Sequence, residues 1–402
     1  VISGLIRRAY KSEGKPVVVI VDEYDAPLLD VLRDNDLLSG IRQVMQEFYA
    51  PMKACESMIR FCFITGITKF SQLSIFSTIN NMNNITMRPE FSSICGITEQ
   101  ELTTQLQEDI AAMAKKNGIS YSEMHARLKM QYDGYHFSED SEEIYNPFSL
   151  LKAFDSKKIS SYWFESGTPS YLVKELKYYK TDIMSFDHIE VPAYGFDQPT
   201  EDMEDALPLL YQSGYLTIKG YNQELDTYTL SIPNQEVRIG YTKGLLPAYT
   251  GLKATDVQMG FAAKFWTALK NSDVDQAMHE MQSYMASIPY VEGFKQKLAN
   301  AATAEGFYEY TLYLIFSMLN VYVKTQVKCA GGKVDMVVWM PDTIYIFEFK
   351  VSDTPENALE QIESKGYSLP FMTDSRKVIE IGVRFDKSTR SPLDWAIKIP
   401  KV

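Results

Sequence analysis

The stretch Lys333-Val334-Asp335-Met336-Val337-Val338-Trp339-Met340-Pro341-Asp342-Thr343-Ile344-Tyr345-Ile346-Phe347-Glu348-Phe349-Lys350 reads as two apolar strands around a Pro-Asp turn, with an acid set into each strand. A hairpin with an even-length loop at Pro341-Asp342 pairs residues whose numbers sum to 683, which predicts Asp335 opposite Glu348 and Lys333 opposite Lys350. Opposed residues share a face of a sheet, as do residues two apart on one strand. Asp335, Glu348 and Lys350 are therefore expected on one small patch. Two carboxylates beside a lysine suit a hard divalent cation and an anion together. The opposite face carries Tyr345, Phe347 and Phe349, and the acid-bearing face also carries Val337, Trp339, Ile344 and Ile346. Both faces should then be covered, and charges at the end of such a strand are costly unless employed.

Outward from the hairpin, a helix over about 303–319 leads to a strand at 321–327, and a helix over about 355–367 leads to strands at 377–384 and near 394–399. The pattern is an αβββαβ unit with the strand near 394–399 added at its end, and a boundary is expected around 290–302. Glu305 lies on the meridian of the stripe formed by Leu312, Phe316 and Leu319, so it should face the sheet. Gln361 stands on the second helix. The combination suits metal-assisted phosphodiester hydrolysis: Asp335 and Glu348, with Glu305, would hold Mg²⁺. Lys350 would position the attacking water or offset developing charge, and Gln361 would orient the nucleophile or a phosphate oxygen.

The chain of 402 residues has room for two or three domains, and 45% hydrophobic with 23% charged residues is a globular composition. No apolar run reaches the roughly 18 residues that span a bilayer. The basic, polar opening around Arg7 and Arg8 has no signal-peptide form, so a cytoplasmic location and no membrane partner are expected. A start at Val1, close before a strand, suggests residues missing upstream. Cys55, Cys62, Cys95 and Cys329 form no CxxC pair, and His125, His136, His188 and His279 lie far apart. Zinc is disfavoured, and any metal should be oxygen-ligated. The net charge of −12 argues against a chain coated to bind nucleic acid, but the segment from Lys324 onward is at +1. That imbalance permits a local basic face there. Oligomeric state is not legible in the sequence.

At the other end, Val17-Val18-Val19-Ile20-Val21 has the pattern of a buried parallel strand, with Phe61-Cys62-Phe63-Ile64-Thr65 as a second one. Acids follow the first: Asp22, Glu23 and Asp25. This is the form of a Walker B strand, in which Asp22 would hold Mg²⁺ through water and Glu23 would polarise the attacking water. Thr65 is placed to sense a γ-phosphate. From about 98 to 290 the reading is mainly helical, with Thr98 and Glu101 forming a capping box and a short hairpin over 214–231. The aromatic and glycine strings Tyr132-Asp133-Gly134-Tyr135-His136-Phe137, Tyr145-Asn146-Pro147-Phe148 and Tyr211-Gln212-Ser213-Gly214 read as core and turn elements rather than as a cofactor box.

Gly332-Lys333-Val334-Asp335, Ile346-Phe347-Glu348-Phe349-Lys350, Gln361 and Gly366-Tyr367 together resemble the PD-(D/E)xK nuclease superfamily, above all the branch at the C-terminus of bacterial AAA-ATPase-like proteins. The resemblance covers roughly 300–402 and implies a restriction-endonuclease-like fold. It makes Asp335 and Glu348 the metal-binding acids, Lys350 the catalytic lysine, and Glu305 the first-motif acid, with Glu309 competing for that role. Val334-Asp335 stands where the superfamily's name has Pro-Asp. The strings over about 15–250, with Lys69-Phe70-Ser71, Ser77-Thr78-Ile79-Asn80-Asn81 and Ile232-Pro233-Asn234, resemble the AAA-ATPase-like family. No GxxxxGK[ST] occurs in the chain, so the phosphate-cradling amides and lysine are missing and ATP is expected only if another segment supplies them.

The expected organisation is therefore α/β and α+β multidomain. An incomplete P-loop ATPase-like lobe spans 1–95, a mainly helical region 96–295 and a nuclease-like domain 296–402. The expected function is Mg²⁺-dependent cleavage of nucleic acid, DNA by resemblance. The alternatives are a non-catalytic regulatory or nucleic-acid-binding protein with a degenerate ATPase lobe, and an ATPase whose phosphate loop lies elsewhere.

Overall fold

A computed structural model describes residues 1–29, 31–69, 82–163, 170–179, 186, 189–199, 203–241, 260–287, 312–313, 315–316, 322–351, 353–386 and 392–400. These residues form a mixed α/β protein that divides into two compact units, Val1–Val237 and Arg238–Val402. The boundary expected at 290–302 lies outside the described residues.

The first unit opens with helix α1 (Ile2–Glu13) and strand β1 (Val17–Val21), followed by helix α2 (Asn35–Tyr49) and strand β2 (Ile59–Ile64). The strands pair in parallel, Val19 beside Cys62 and Ile20 beside Phe63. Val19 packs with Ile6, Leu38, Met45 and Tyr49 in one core. The alternate residues face away, and Val18, Ile20 and Phe61 are 52%, 70% and 55% exposed. The expectation of a strand buried on both faces is thus corrected. A β-branched run specifies a strand, but the number of covering layers depends on distant chain.

Strand β3 (Ile97–Thr98) leads through α3 (Glu99–Gln105), α4 (Gln107–Asn117) and α5 (Tyr121–Tyr132) to β4 (Ile144–Tyr145) and α6 (Pro147–Ser156). The expected capping box is present: the Thr98 hydroxyl accepts from the Glu101 amide, and the Glu101 carboxylate accepts from the Thr98 amide. Leu102, Ile110, Met124, Leu128, Tyr132, Tyr145 and Leu150 share the core of this helical layer. Helices α7 (Ser170–Tyr178) and α8 (Leu207–Gln212) follow, with a three-stranded antiparallel sheet ordered β5 (Ile189–Pro192), β7 (Thr227–Ser231), β6 (Thr217–Asn222). The hairpin read over 214–231 is its β6–β7 pair. The aromatic strings serve as core and turns: Tyr132, Tyr135, Tyr145, Tyr211 and Tyr215 are buried. Gly134, at φ 101°, must be glycine, because a Cβ there would stand 2.3 Å from the Pro233 carbonyl oxygen.

The second unit contains helices α9 (Phe261–Lys270), α10 (Val274–Ser287) and α11 (Pro355–Ser364) with strands β8 (Tyr322–Cys329), β9 (Gly332–Trp339), β10 (Thr343–Lys350), β11 (Lys377–Phe385) and β12 (Pro392–Lys398). The five strands form one sheet in the order β12-β11-β10-β9-β8. Only the central β10–β11 pair is parallel, joined by the crossover through α11. Both faces are covered, as the doubly apolar β10 requires. On one face Val337, Ile344 and Ile346 pack with Ile362 and Tyr367. On the other, Phe347 packs against Phe316, Phe316 packs against Phe265, and the buried Tyr345 hydroxyl donates to the Leu269 carbonyl. Helix α11 starts cleanly, with the Thr354 hydroxyl accepting from the Asn357 amide and Pro355 in the first turn.

Candidate functional site

The β9–β10 hairpin closes at Met340 and Thr343, where the Met340 amide donates to the Thr343 carbonyl at 2.8 Å across the two-residue Pro341-Asp342 loop. The ladder runs from Ile344–Trp339 to Phe347–Met336, in the register expected. It stops one step before the acids. There the Asp335 carboxylate leaves the ladder and accepts from the Phe349 amide at 2.8 Å. The β9–β10 ladder ends at Met336–Phe347, so the expected Lys333–Lys350 pairing is not made; on its other side β9 pairs Lys333 in register with Lys328 of β8. The strands stop pairing once the Asp335 side chain replaces a backbone acceptor.

Glu348, Lys350 and Gln361 are brought together. The Lys350 ammonium donates to Glu348 Oε1 at 3.1 Å and to Gln361 Oε1 at 2.8 Å. The Gln361 amide nitrogen donates to the same Glu348 oxygen, closing a triangle between β10 and α11. Glu348 is 2% exposed, and its Oε2 has no hydrogen-bond partner among the described residues. Burial, and then the nearby Asp335 carboxylate, push the Glu348 carboxyl up to about 7, against the pull of Lys350. Glu305 and Glu309, the competing first-motif acids, lie outside the described residues. Among the described residues no group of three His, Cys, Asp or Glu side chains is placed to hold a metal. A groove of about 470 Å³ lined by Ala263, Thr267, Asn271, Asp273, Gln276 and Glu280 contains none of the candidate residues.

One residue that sequence reading passed over fixes the roof of this patch. Gly382 on β11 lies beside Glu348 in parallel register, and a Cβ there would stand 2.1 Å from the Pro355 carbonyl oxygen. The first turn of α11 rests directly on this backbone, which sets where Gln361 meets Glu348. An isolated Gly in a strand is the sequence signal of such a close approach.

In the first unit, Thr65 follows β2 and donates to Asp22 Oδ1 at 2.5 Å, so two of the three expected residues meet. Glu23 follows in the left-handed region at φ 51°, an unusual backbone for a glutamate. Asp25, to which the sequence reading gave no role, is fully buried. It accepts from the Ile67 and Thr68 amides and from the Thr68 hydroxyl at 2.7 Å, tying the end of β1 to the loop after β2. The Lys69 ammonium next to that loop bonds Asp197 at 2.9 Å, and its amide bonds Gln212 at 2.6 Å. Two of the sequence strings thus meet.

Comparison with known proteins matches the two ends of the chain. Residues 1–76 match the family described as predicted AAA-ATPase, and residues 303–395 match the PD-(D/E)XK nuclease superfamily. An uncharacterized protein from the vnfD 5′ region of Azotobacter chroococcum mcd 1 is 30% identical over 407 residues, covering 98% of this chain and 74% of that protein. The chain belongs to the family of that relative, with an AAA-ATPase-like region at one end and a PD-(D/E)XK nuclease superfamily domain at the other. No solved structure matches it. Among the described residues no helix is long and apolar enough to cross a membrane.

Proposed function

We propose that the C-terminal unit hydrolyses phosphodiester bonds in nucleic acid, DNA first among them, with Mg²⁺ held by Asp335 and Glu348. The reading is carried by the triangle of Glu348, Lys350 and Gln361, which leaves Glu348 Oε2 buried and without a partner beside Asp335. An all-oxygen donor set fits a hard cation. Ionising Glu348 is costly while it is buried near another carboxylate, and a cation between the two would favour it. Glu305, with Glu309 as its competitor, is the third acid in this proposal. Mg²⁺ bound there would polarise the phosphate and acidify a water. Lys350, held by two partners on a strand, offers a fixed positive charge to the anion developing at phosphorus. Gln361 holds Glu348 Oε1, which leaves Oε2 as the oxygen that would serve a cation.

Plasmid cleavage with Mg²⁺ tests this. Asp335→Ala and Lys350→Ala should each lower the rate by about 100-fold or more. Equal nicking by wild type and both variants would mean a contaminating nuclease and would sink the proposal.

A second reading concerns the first unit, where Asp22 and Thr65 bond across the ends of two parallel strands. We propose that this region responds to Mg-nucleotide and regulates cleavage when a phosphate loop is supplied from outside this sequence. Calorimetric titration with Mg-ATP measures it, and a heat unchanged in Asp22→Ala would remove Asp22 from that role.

A further inference from the structure

The parallel β10–β11 register sets Lys350 directly beside Arg384. Like charges directly opposed on a sheet repel, so each needs an anion. Lys350 is held by Glu348, and Arg384 forks onto Asp394 of β12, Nε to Oδ1 at 2.8 Å and a terminal nitrogen to Oδ2 at 2.6 Å. Asp394 is also its antiparallel ladder partner. Glu356 on α11 and Asp386 lie within electrostatic reach of the guanidinium. Unlike the Lys350 ammonium, which two half-buried or buried side chains enclose, the Arg384–Asp394 pair is open to solvent, the two side chains 35% and 45% exposed. The first turn of α11 roofs Gly382, two residues earlier on the same face, so the Lys350–Arg384 pair stands at the open edge of that roof.

We infer that Arg384 is a phosphate-positioning residue: its guanidinium leaves Asp394 to hold a backbone phosphate adjoining the one at Asp335, Glu348 and Lys350. This rests on the nuclease reading of that patch. The chemistry follows from geometry. A planar fork already presenting two N–H groups to one carboxylate can present the same two to a phosphate. Adjacent strands lie about 4.8 Å apart, so the fork sits one strand over from the lysine without occupying its place. Asp394 then acts as a competitor that holds the fork ready and weakens binding until a phosphate displaces it.

The test is binding of the full chain to a short labelled DNA duplex and to its RNA counterpart, without divalent metal, over a salt series. Arg384→Gln should weaken binding roughly 10-fold and lower the salt slope by about 1, with the thermal midpoint followed as a check on folding. Arg384→Lys should restore the slope while leaving affinity below wild type, because the charge returns without the fork. Asp394→Asn should tighten binding, and that gain should vanish in the Arg384→Gln/Asp394→Asn double variant. A purely structural pair would predict weaker binding from both single variants, in proportion to lost stability, and an unchanged slope. That result overturns the assignment, as does wild type binding neither duplex. If Arg384→Gln lowers the slope by about 1 while wild type never cleaves with Mg²⁺, the nuclease reading falls and the phosphate contact stands. If wild type cleaves and Arg384→Gln binds with equal affinity and slope, the contact falls and the nuclease stands.

Discussion

Among the described residues two buried carboxylates hold one oxygen without a hydrogen-bond partner and are pushed up to about 7: Glu348 in the second unit and Glu236 in the first. Burial dominates both shifts, so a perturbed carboxyl does not by itself distinguish a catalytic acid from a structural one. Their neighbours do. Glu348 has Asp335, Lys350 and Gln361 around it, whereas Glu236 Oε1 accepts the Trp163 amide at 3.1 Å in a setting of buried tyrosines. Glu236 also permits a clean pH prediction. Its folded value exceeds its ordinary one, so the native state holds the extra proton and stability should fall as pH rises from about 4.5 to about 7. Glu236→Gln keeps an acceptor for Trp163 and removes the charge. It should flatten that decline and stabilise the protein by about 3 kcal/mol at pH 8, measured by denaturant unfolding at several pH values. An unchanged pH profile would mean that the carboxyl titrates elsewhere.

At the scale of elements, the site depends on a hairpin and a helix. The Pro341-Asp342 loop fixes which face Glu348 shares with Asp335, because a one-residue slip sends every side chain of a strand to the other face. Inserting a single glycine between Pro341 and Asp342 should therefore abolish cleavage, while inserting two should retain part of it. Plasmid nicking reads both. Helix α11 depends on Gly382. Gly382→Ala should cost about 1–3 kcal/mol and reduce cleavage more than stability explains, since moving α11 separates Gln361 from Glu348. Full activity in that variant would show that the α11 seat tolerates a methyl group.

For the whole molecule, two compact units with separate cores should unfold in two calorimetric steps. Glu236→Gln should shift the step of Val1–Val237, and Gly382→Ala that of Arg238–Val402. Mg²⁺ at roughly 100 times its dissociation constant should raise only the latter, by about 2.7 kcal/mol, and the rise should disappear in Asp335→Ala. A single step moved by all three changes would show one cooperative unit instead.

The sequence by itself determined the hairpin, its register as far as Met336–Phe347 and the shared face of Glu348 and Lys350, because alternation with period two and a two-residue turn are local properties; where Gln361 meets them depends on the seat of α11 on Gly382. It also determined the capping box at Thr98 and the parallel partnership of β1 with β2. It pointed elsewhere for three features: Asp335 quits the ladder for the Phe349 amide, Lys333 does not pair with Lys350, and one face of β1 stays exposed. Only the tertiary structure decided that β11 lies parallel to β10, which puts Gly382 beside Glu348 and Arg384 beside Lys350. That pairing is set by a crossover through α11 and by a backbone approach that only glycine allows. Local patterns encode which face a residue takes; which distant strand completes that face depends on chain closure over many residues.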